Sequence, residues 1–389
     1  MKAALQAAPS RARCGAIFTG NSLDSAITIP RSAPKAVMLQ VQSSIAIPWK
    51  PGTGEKHQDS LFPAPSHFPH LPRKTEDHRM IATVTLNPAI DKSLIVSRFE
   101  VGKTNRGEVV RIDAGGKGIN VAKALKQFGT PVRALGFVAG NNGRFIREAL
   151  CTSGIPEDLI DVPGETRINL KVHDPVFGSE TELNEPGFKV DSEHLEKLKQ
   201  KVKEYAARCE VMVFSGSLPP GASPETFAEL ITVAGGQRAK CILDTVGSAL
   251  ALGLHAKPLL IKPNRAETEA LLQEPLNTPG KLAAAARKLL ALGASQVVIS
   301  MGAEGAVAAT AQESLLARPL AVTARSSVGA GDAMVAALAY GEVKHLPFRE
   351  SFRLAIATSA AAVTMEGTKM GDLALIESLL PQVRIEDLR

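Results

Sequence analysis

The sequence contains few cysteines, and none of them lies close to another. The four residues Cys14, Cys151, Cys209 and Cys241 form no Cys-x-x-Cys pair in 389 positions. This spacing excludes the usual zinc motifs and is not typical of a disulfide framework. We therefore expect a reduced, cytoplasmic setting for the chain.

Long apolar runs and a strong charge of one sign are also missing. No stretch approaches 18 uninterrupted apolar residues, so we expect no transmembrane span and no membrane partner. The formal net charge is +6, but residues 1–79 carry ten Lys/Arg against five Asp/Glu, which leaves the remainder near neutral. Because a nucleic-acid-binding surface needs clustered basic residues, this distribution gives no support to a nucleic-acid partner.

Residues 1–79 differ in composition from the rest of the chain. They contain nine of the 25 prolines and the only tryptophan, Trp49, without clear helical or strand periodicity. Such a segment buries too little apolar surface to offset the entropy of ordering it. We expect a disordered leader or an upstream start codon, with the folded domain spanning 80–389. A transit peptide is an alternative, because Asp24 is the only acidic residue among the first fifty.

Strand-like and helical patterns alternate from Met80 onward. Apolar strand-like runs lie at 81–86, 210–214, 240–244, 259–262 and 296–300. Their alternation with helical segments is typical of βαβ units, which build a parallel sheet covered by helices on both faces. More polar strand-like segments, at about 92–113 and 166–186, do not fit a buried sheet. We expect them to form a small lid over the carboxyl edge of the main sheet, where ligands bind.

The strongest local motif is Ser327-Val-Gly-Ala-Gly-Asp332, which runs directly into an apolar helical segment. Its glycines allow a tight turn whose N–H groups, with the helix dipole, form a pocket for an anion. Asp332 at the helix start could accept a proton from an attacking hydroxyl. On the residues alone, a plain turn with Asp332 as the helix N-cap is an equally good interpretation.

A second glycine-rich segment, Asp113-Ala-Gly-Gly-Lys-Gly-Ile-Asn120, also opens a helix. Its glycines would let the backbone approach a polyol, and the Asn120 amide can both donate and accept hydrogen bonds. The segment is not a Walker loop, because no Ser or Thr follows Lys117. A glycine-rich loop with a solvated lysine is the alternative interpretation.

Two weaker motifs and two single charges complete the set of candidates. The Asn264 and Glu267 side chains could hold Mg²⁺ or its waters beside a polyphosphate, or they could simply cap a helix. The segment Ser300-Met-Gly-Ala-Glu-Gly305 suits a turn that contacts a nucleotide, although glycines are common at strand ends. Asp91 and Arg167 stand near the expected ligand edge, where Arg167 could bind phosphate through two parallel hydrogen bonds. Either charge could also lie on an ordinary surface.

Together these motifs resemble those of the PfkB (ribokinase-like) sugar kinases, over about residues 80–389. That family has a sugar-binding Gly-Gly-x-x-x-Asn segment, a magnesium-supporting Asn-x-x-Glu segment and a Gly-x-Gly-Asp turn that carries the base. All three occur here in the family's order. The resemblance implies an α/β fold, a three-layer αβα domain with a mainly parallel sheet and a small β-sheet lid. The stretch Thr166-Arg-Ile-Asn169 is most similar to the branch that acts on fructose 1-phosphate.

The resemblance also implies roles for individual residues. Sugar hydroxyls would be held by Asp91, Gly115, Gly116 and Asn120, and the substrate's own phosphate by Arg167, Lys103 and Lys117. The ATP site would be lined by Lys262, Asn264, Ser300, Met301, Gly302, Ala303, Glu304, Gly305, Val328, Gly329, Ala330 and Gly331. Asp332 would be the base, assisted by Gly329, Ala330 and Gly331, with Glu267 at Mg²⁺. A monovalent cation would lie near Ser326, Val328 and Gly367.

The implied reaction is ATP-dependent phosphorylation of fructose 1-phosphate at its C6 hydroxyl, which gives fructose 1,6-bisphosphate and ADP. Tagatose 6-phosphate and fructose 6-phosphate are the alternative substrates. A non-catalytic sugar-phosphate sensor is disfavoured, because Asp332, both turn glycines and Glu267 are all present. A protein kinase is not expected, because the chain has no His-Arg-Asp or Asp-Phe-Gly element. Free edges of the polar lid strands favour a homodimer that forms through the lid.

Overall fold

The structure is a computed structural model that describes residues 80–367, 369 and 371–388. The expectation for residues 1–79 therefore lies outside the described residues. The strands are β1 (Met80–Thr85), β2 (Ala89–Ile95), β3 (Glu108–Gly115), β4 (Val132–Val138), β5 (Glu157–Asp161), β6 (Arg167–Asp174), β7 (Ser179–Asn184), β8 (Cys209–Ser215), β9 (Lys240–Asp244), β10 (Leu260–Ile261), β11 (Gln296–Ser300), β12 (Ala306–Thr310), β13 (Ser314–Ala317) and β14 (Ile385–Asp387). The helices are α1 (Lys117–Gln127), α2 (Gly140–Thr152), α3 (Ser192–Ala206), α4 (Thr226–Gly235), α5 (Gly247–His255), α6 (Arg265–Leu272), α7 (Pro279–Ala291), α8 (Ala330–Val343), α9 (Phe348–Val363) and α10 (Leu373–Leu379).

Ten of these strands form the main sheet, in the order β14-β13-β12-β11-β10-β9-β8-β1-β4-β5. All neighbours from β11 to β5 are parallel, whereas β12, β13 and β14 add an antiparallel edge. The prediction of a mainly parallel sheet is confirmed. Parallel neighbours point their carboxyl ends to the same edge, so the loops that follow β1, β8, β9, β10 and β11 gather there.

Helices cover both faces of this sheet, because its strands are apolar on both sides. In β8, Val211 and Val213 pack in the core under α1, α8 and α9. The intervening residues, Met212 and Phe214, pack in the opposite core with α3, α4, α5 and α7. This alternation follows from the two-residue period of a strand and yields the predicted three layers.

The polar strands form the predicted second sheet, in the order β3-β2-β6-β7. Strand β2 begins at Ala89, three residues before the predicted start, because pairing with β3 and β6 starts directly after the Asn87-Pro88 turn. Asp91 lies opposite Asp113 on β3 and Asn169 on β6, so one face of this sheet is polar. We call this sheet the lid.

The apolar helical segment that contains Asp332 is α8, and a second helix, α9, follows it after a short loop. Helix α8 ends at Val343, and α9 begins at Phe348 after Pro347. Proline fixes φ and has no N–H to donate, so it suits a helix start and interrupts a helix interior. Within the described residues, no helix is both long and apolar enough to cross a membrane.

Candidate active site

The N-terminus of α8 forms the floor of the candidate site. Gly329 is its N-cap, with a left-handed φ of 78°, and no side chain caps the helix. The first helical hydrogen bond joins the Ala333 N–H to the Gly329 carbonyl oxygen at 2.8 Å. The interpretation of Asp332 as a plain N-cap is therefore wrong, because Asp332 lies in the first turn. The N–H groups before Ala333 have no carbonyl partner inside the helix, which suits an anion.

Asp332 is buried, with 7% of its surface exposed, and its carboxylate is held by α1. The Asn120 side-chain amide donates to Asp332 Oδ2 at 2.8 Å. Burial and the nearby Asp244 charge raise the pKa of Asp332 to about 7, although Asn120, Lys117 and Lys262 oppose the shift. A carboxylate with a pKa near neutrality is well suited to general-base work.

The glycines before α1 allow close packing around the start of this helix. A side chain at Gly115 would overlap the Asp91 carboxylate, and Gly116 has a φ of 110°, which favours glycine. Asn120 is buried, and its Oδ1 accepts no hydrogen bond within the described chain. An unsatisfied buried acceptor beside Asp332 fits a ligand hydroxyl, which would supply the missing donor.

Asp91 lies in the lid strand β2. It is buried, and the Asn169 amide on the neighbouring strand donates to its Oδ1 at 2.9 Å. Burial raises the pKa of Asp91, and the hydrogen bond from Asn169 only partly opposes the rise. Our sequence reasoning did not assign Asn169 a role. The signal was available, because Asn169 and Arg167 are two apart on one strand and share a face.

Asp244, at the end of β9, is a further charged residue that the sequence reasoning missed. Its carboxylate is 1% exposed and lies 3.3 Å from Lys117 Nζ and 3.5 Å from Lys262 Nζ. The Ser215 hydroxyl donates to its second oxygen at 3.2 Å. Burial alone would raise the pKa of Asp244, but the two lysines hold it below its usual value. A carboxylate at the last position of a buried strand was the available signal.

The three cations predicted to bind the substrate's phosphate lie in three different places. Arg167 is half-buried, and its guanidinium donates to the backbone oxygens of Asn87 and Glu185 at 3.3 Å. Lys103 is exposed in the loop between β2 and β3. Lys117 forms an ion pair with Asp244 at the end of β9. Their shared role as ligands of this phosphate stays a prediction.

The two nucleotide motifs lie side by side. Asn264 and Glu267 form a capping box at the start of α6, so the capping interpretation of this pair is confirmed. Ser300 pairs with Asn264 in a parallel bridge, and its N–H donates to the Pro263 oxygen at 3.0 Å. In the turn that follows, Glu304 forms a 2.7 Å ion pair with Arg265. Residues 300–305 and 264–267 therefore line the same edge of the sheet.

A groove of about 330 Å³ lies between the lid and the main domain. Its walls include Asp91, Arg111, Lys171, Arg325, Ser326, Val328 and Gly367. The residues predicted to surround a monovalent cation thus line the same groove as Asp91, which is predicted to bind the sugar. The basic residues Arg111, Lys171 and Arg325 were missed, because their strands and loops carried no recognisable motif.

The comparison with family models decides the identity of the chain. A model described as the pfkB family of carbohydrate kinases matches residues 84–373, most of the chain. This protein belongs to the PfkB family. PfkB kinases use ATP, typically with Mg²⁺. The predictions of a carbohydrate kinase and of its fold class are confirmed.

Individual relatives agree with this assignment. The chain is 36% identical over 306 residues to a 1-phosphofructokinase from Haemophilus influenzae, covering 78% of this chain and 97% of the relative. It is 38% identical over 312 residues to a 1-phosphofructokinase from Xanthomonas campestris, with coverage of 77% and 98%. Phosphofructokinase-2 from Escherichia coli, solved in complex with potassium, is a structural neighbour with a TM-score of 0.74 and 30% identity. That match covers 78% of this chain and 99% of the neighbour.

Replacement of Asp332 by asparagine tests its assignment as the base. Asp332→Asn keeps the shape of the side chain and its contact with Asn120, but it cannot accept a proton. Since a positioned base contributes about 10²–10⁴-fold, we expect kinase turnover to fall by at least about 10²-fold while ATP binding is retained. Asp158→Asn, which changes a carboxylate on β5 that pairs with Lys201, is the matched control and should leave turnover unchanged. Normal turnover of Asp332→Asn would contradict the assignment.

Proposed function

We propose that this protein phosphorylates fructose 1-phosphate at the C6 hydroxyl, using ATP and giving fructose 1,6-bisphosphate and ADP. The observation that carries the proposal is the position of Asp332. Its buried carboxylate has a pKa near neutrality and lies in the first turn of α8, behind an anion-binding turn. The relatives named 1-phosphofructokinase, at 36% and 38% identity, support fructose 1-phosphate as the acceptor.

In the proposed reaction, Asp332 removes the C6 hydroxyl proton as that oxygen attacks the γ-phosphorus of ATP in line. The bond from the γ-phosphorus to the bridging oxygen breaks, and ADP leaves. Charge on the transferring group is stabilised by the backbone N–H groups of Gly329 to Asp332, which are fixed by the turn before the reaction begins. Asn120 orients the base through its hydrogen bond to Oδ2.

The proposed sugar subsite combines lid and domain residues. Asp91, Gly115, Gly116 and Asn120 would contact the sugar hydroxyls, and the unsatisfied Asn120 Oδ1 supports this role. Closure of the lid over the sugar would exclude water from the site. Water would otherwise compete as the acceptor and hydrolyse ATP.

We assign Mg²⁺ to Glu267 on the chemistry of its carboxylate. The capping box uses Glu267 Oε2, and within the described residues Oε1 accepts no hydrogen bond. Mg²⁺ beside phosphates commonly keeps several waters and needs only one or two carboxylates, so a single glutamate fits. The absence of a cluster of three or more His, Cys, Asp or Glu among the described residues agrees with this kind of site. The ion would neutralise charge on the polyphosphate.

We also propose that a monovalent cation binds near Ser326, Val328 and Gly367. All three residues line the groove, and the Escherichia coli neighbour was solved with potassium.

The family match begins at residue 84, which supports a kinase domain that starts near Met80. Free thiols at Cys151, Cys209 and Cys241 support the proposed cytoplasmic location.

A panel of acceptors tests the proposed substrate. Purified protein should phosphorylate fructose 1-phosphate with a higher kcat/KM than fructose 6-phosphate or tagatose 6-phosphate, measured by ADP release with MgATP. The position of the new phosphate, read by ³¹P NMR, should be C6. A higher kcat/KM with either alternative would change the assigned substrate, and the assignment as a sugar-phosphate kinase would stand. No transfer to any of the three would support a non-catalytic sensor.

Replacement of Arg167 tests the subsite for the phosphate already on the sugar. Charge-assisted hydrogen bonds contribute about 1.5–3 kcal/mol, so Arg167→Ala should raise the KM for fructose 1-phosphate about tenfold to hundredfold. The KM for ATP should change little. Arg238→Ala is the control, because Arg238 is exposed before β9, at the opposite edge of the sheet. An unchanged sugar KM would move the phosphate subsite away from Arg167.

We also propose a homodimer that forms through the outer face of the lid. Register and alternation put Val109, Ile112 and Leu183 on the face opposite Asp91. These three side chains are about half exposed, although they share a face with apolar neighbours on β2 and β6. An exposed apolar sheet face marks an interaction site, and a second copy of the lid would cover it.

Charge on this face should separate the subunits. Ile112→Glu should give a monomer in sedimentation equilibrium at concentrations where the unaltered protein is a dimer, because association would bury an unpaired carboxylate. Leu292→Glu is a matched control, since Leu292 has a similar exposure at the end of α7, outside the lid. A monomeric unaltered protein, or a dimer that survives Ile112→Glu, would contradict the proposal.

A further inference from the structure

Asp91, the proposed sugar ligand on the lid, lies directly opposite a second carboxylate. The register of β2 and β3 pairs Asp91 with Asp113, so both side chains are on the polar face of the lid. Like charges directly opposite each other in an antiparallel pair are destabilising. Asp113 has a cation of its own, because Arg111 Nε lies 2.8 Å from Asp113 Oδ2. The Asp91 carboxylate therefore needs a further positive charge to offset this repulsion.

Lys123 approaches the two carboxylates from helix α1 rather than from the lid. It lies three residues after Asn120, so the two side chains are neighbours on the helix surface. Its ammonium donates a hydrogen bond to the carbonyl oxygen of Ala114, at the end of β3. Burial lowers the pKa of Lys123, and the charges of Asp113 and Asp91 oppose this shift, so both carboxylates favour the charged lysine.

The hydrogen bond from Lys123 joins α1 to the lid at the point where the lid strand ends. Ala114 is buried and directly precedes the two glycines before α1. Glycine restricts the backbone less than any other residue, so a contact on Ala114 limits the freedom of this connection. Since α1 carries Asn120 and β3 pairs with the strand of Asp91, the contact holds the two predicted sugar ligands in a fixed relation.

A buried acceptor beside Asp91 indicates where a ligand would donate hydrogen bonds. The Asn169 amide donates to Asp91 Oδ1 at 2.9 Å, and within the described chain Asn169 Oδ1 accepts no hydrogen bond. Sugar hydroxyls would supply the missing donors. An ionised carboxylate only accepts hydrogen bonds, whereas a protonated one uses one oxygen as a donor. Because burial raises the pKa of Asp91, its charged form depends on the cations around it.

We propose that Lys123 is a positioning residue for sugar binding, which keeps Asp91 ionised opposite Asp113 and fixes the end of β3 against α1. The inference rests on the proposed kinase function, and in it Lys123 does not touch the substrate. Asp91 binds the sugar hydroxyls, and Lys123 acts on them only through Asp91 and through the backbone at Ala114. Its effect is therefore on the affinity for the sugar and not on the transfer step.

Replacement of Lys123 should separate the KM for the sugar phosphate from kcat. Lys123→Met keeps an unbranched side chain but removes the charge and the hydrogen bond to Ala114. Since this hydrogen bond has a charged donor, its loss should raise the sugar KM about tenfold, with little change in kcat or in the KM for ATP. Lys123→Arg keeps the charge and should restore part of the lost affinity. Lys126→Met, at an exposed position in the last turn of α1, is the matched control and should equal the unaltered enzyme.

The pH dependence of sugar binding distinguishes this role from a merely structural one. The charged groups that face Asp91 are Asp113 on β3, Lys171 and Arg167 on β6, and Lys123 on α1. Asp91 must be ionised to accept, so sugar affinity should weaken as the pH falls through its raised pKa. Lys123→Met removes a positive charge and should move this weakening to higher pH. Asp113→Asn removes a negative charge and should move it to lower pH.

A double variant provides the sharpest comparison. In Lys123→Met combined with Asp113→Asn the two effects on Asp91 oppose each other, so the profile should return towards that of the unaltered protein. A lysine that only packs α1 against the lid would give no such recovery.

The experiment measures the dissociation constant of fructose 1-phosphate by calorimetry across the acidic and neutral range, in the full chain without nucleotide, together with kcat and both KM values. The substrate's own phosphate titrates equally in every variant, so the differences between variants report on Asp91. A raised sugar KM, opposite shifts and recovery in the double variant support the proposal.

An unchanged sugar KM in Lys123→Met, or a profile that does not move, would overturn the role of Lys123. If Lys123→Met does not fold, Asp113→Asn decides, because a profile that fails to move to lower pH contradicts the proposal. An unaltered protein that transfers phosphate to no sugar phosphate would refute the proposed function itself. Normal transfer with an unmoved profile would refute only the role of Lys123.

Discussion

The proposed role of Asp332 as a base close to neutral pH requires two opposing influences in its surroundings. Burial disfavours the charged form of Asp332, while Asn120 and two lysines favour it, and the balance puts its pKa at about 7. If burial acted alone, the group would remain protonated and could not accept a proton. With full exposure it would be a weak base. The rest of the site is arranged around this balance, which depends on side chains from α1, β9 and the segment after β10.

The parallel sheet makes this balance possible, because it delivers polar residues from distant parts of the sequence to one edge. Asp244 is the last residue of β9 and Lys262 follows β10, and both lie near the start of α8. The strands themselves are rigid, since both faces are covered by apolar cores. Polar groups at the strand ends are therefore held with little freedom, which suits electrostatic stabilisation of a transferring phosphoryl group.

The two faces of the lid differ in polarity. Its strands carry polar residues on the face that includes Asp91 and apolar residues on the other, so neither a buried core nor free solvent suits both faces. The polar face forms one wall of the groove, beside Arg111 and Lys171. The apolar face remains partly exposed in a single chain. In the proposed mechanism the polar face closes over the substrate, and in the proposed homodimer the apolar face meets a second copy.

The sequence alone determined the alternation of strands and helices, the separate polar sheet and the motif that contains Asp332, because each depends on neighbours within a few residues. It also indicated both uses of the Asn264–Glu267 pair, and only the structure showed that the capping box forms. The cluster of Lys117, Asp244 and Lys262 was decided by tertiary structure. Lys117 and Asp244 are more than a hundred positions apart in the sequence. The contacts within this cluster depend on the strand order and on where α1 begins. Local spacing contains no information on that order, so it could not distinguish a solvated Lys117 from one held by a buried carboxylate.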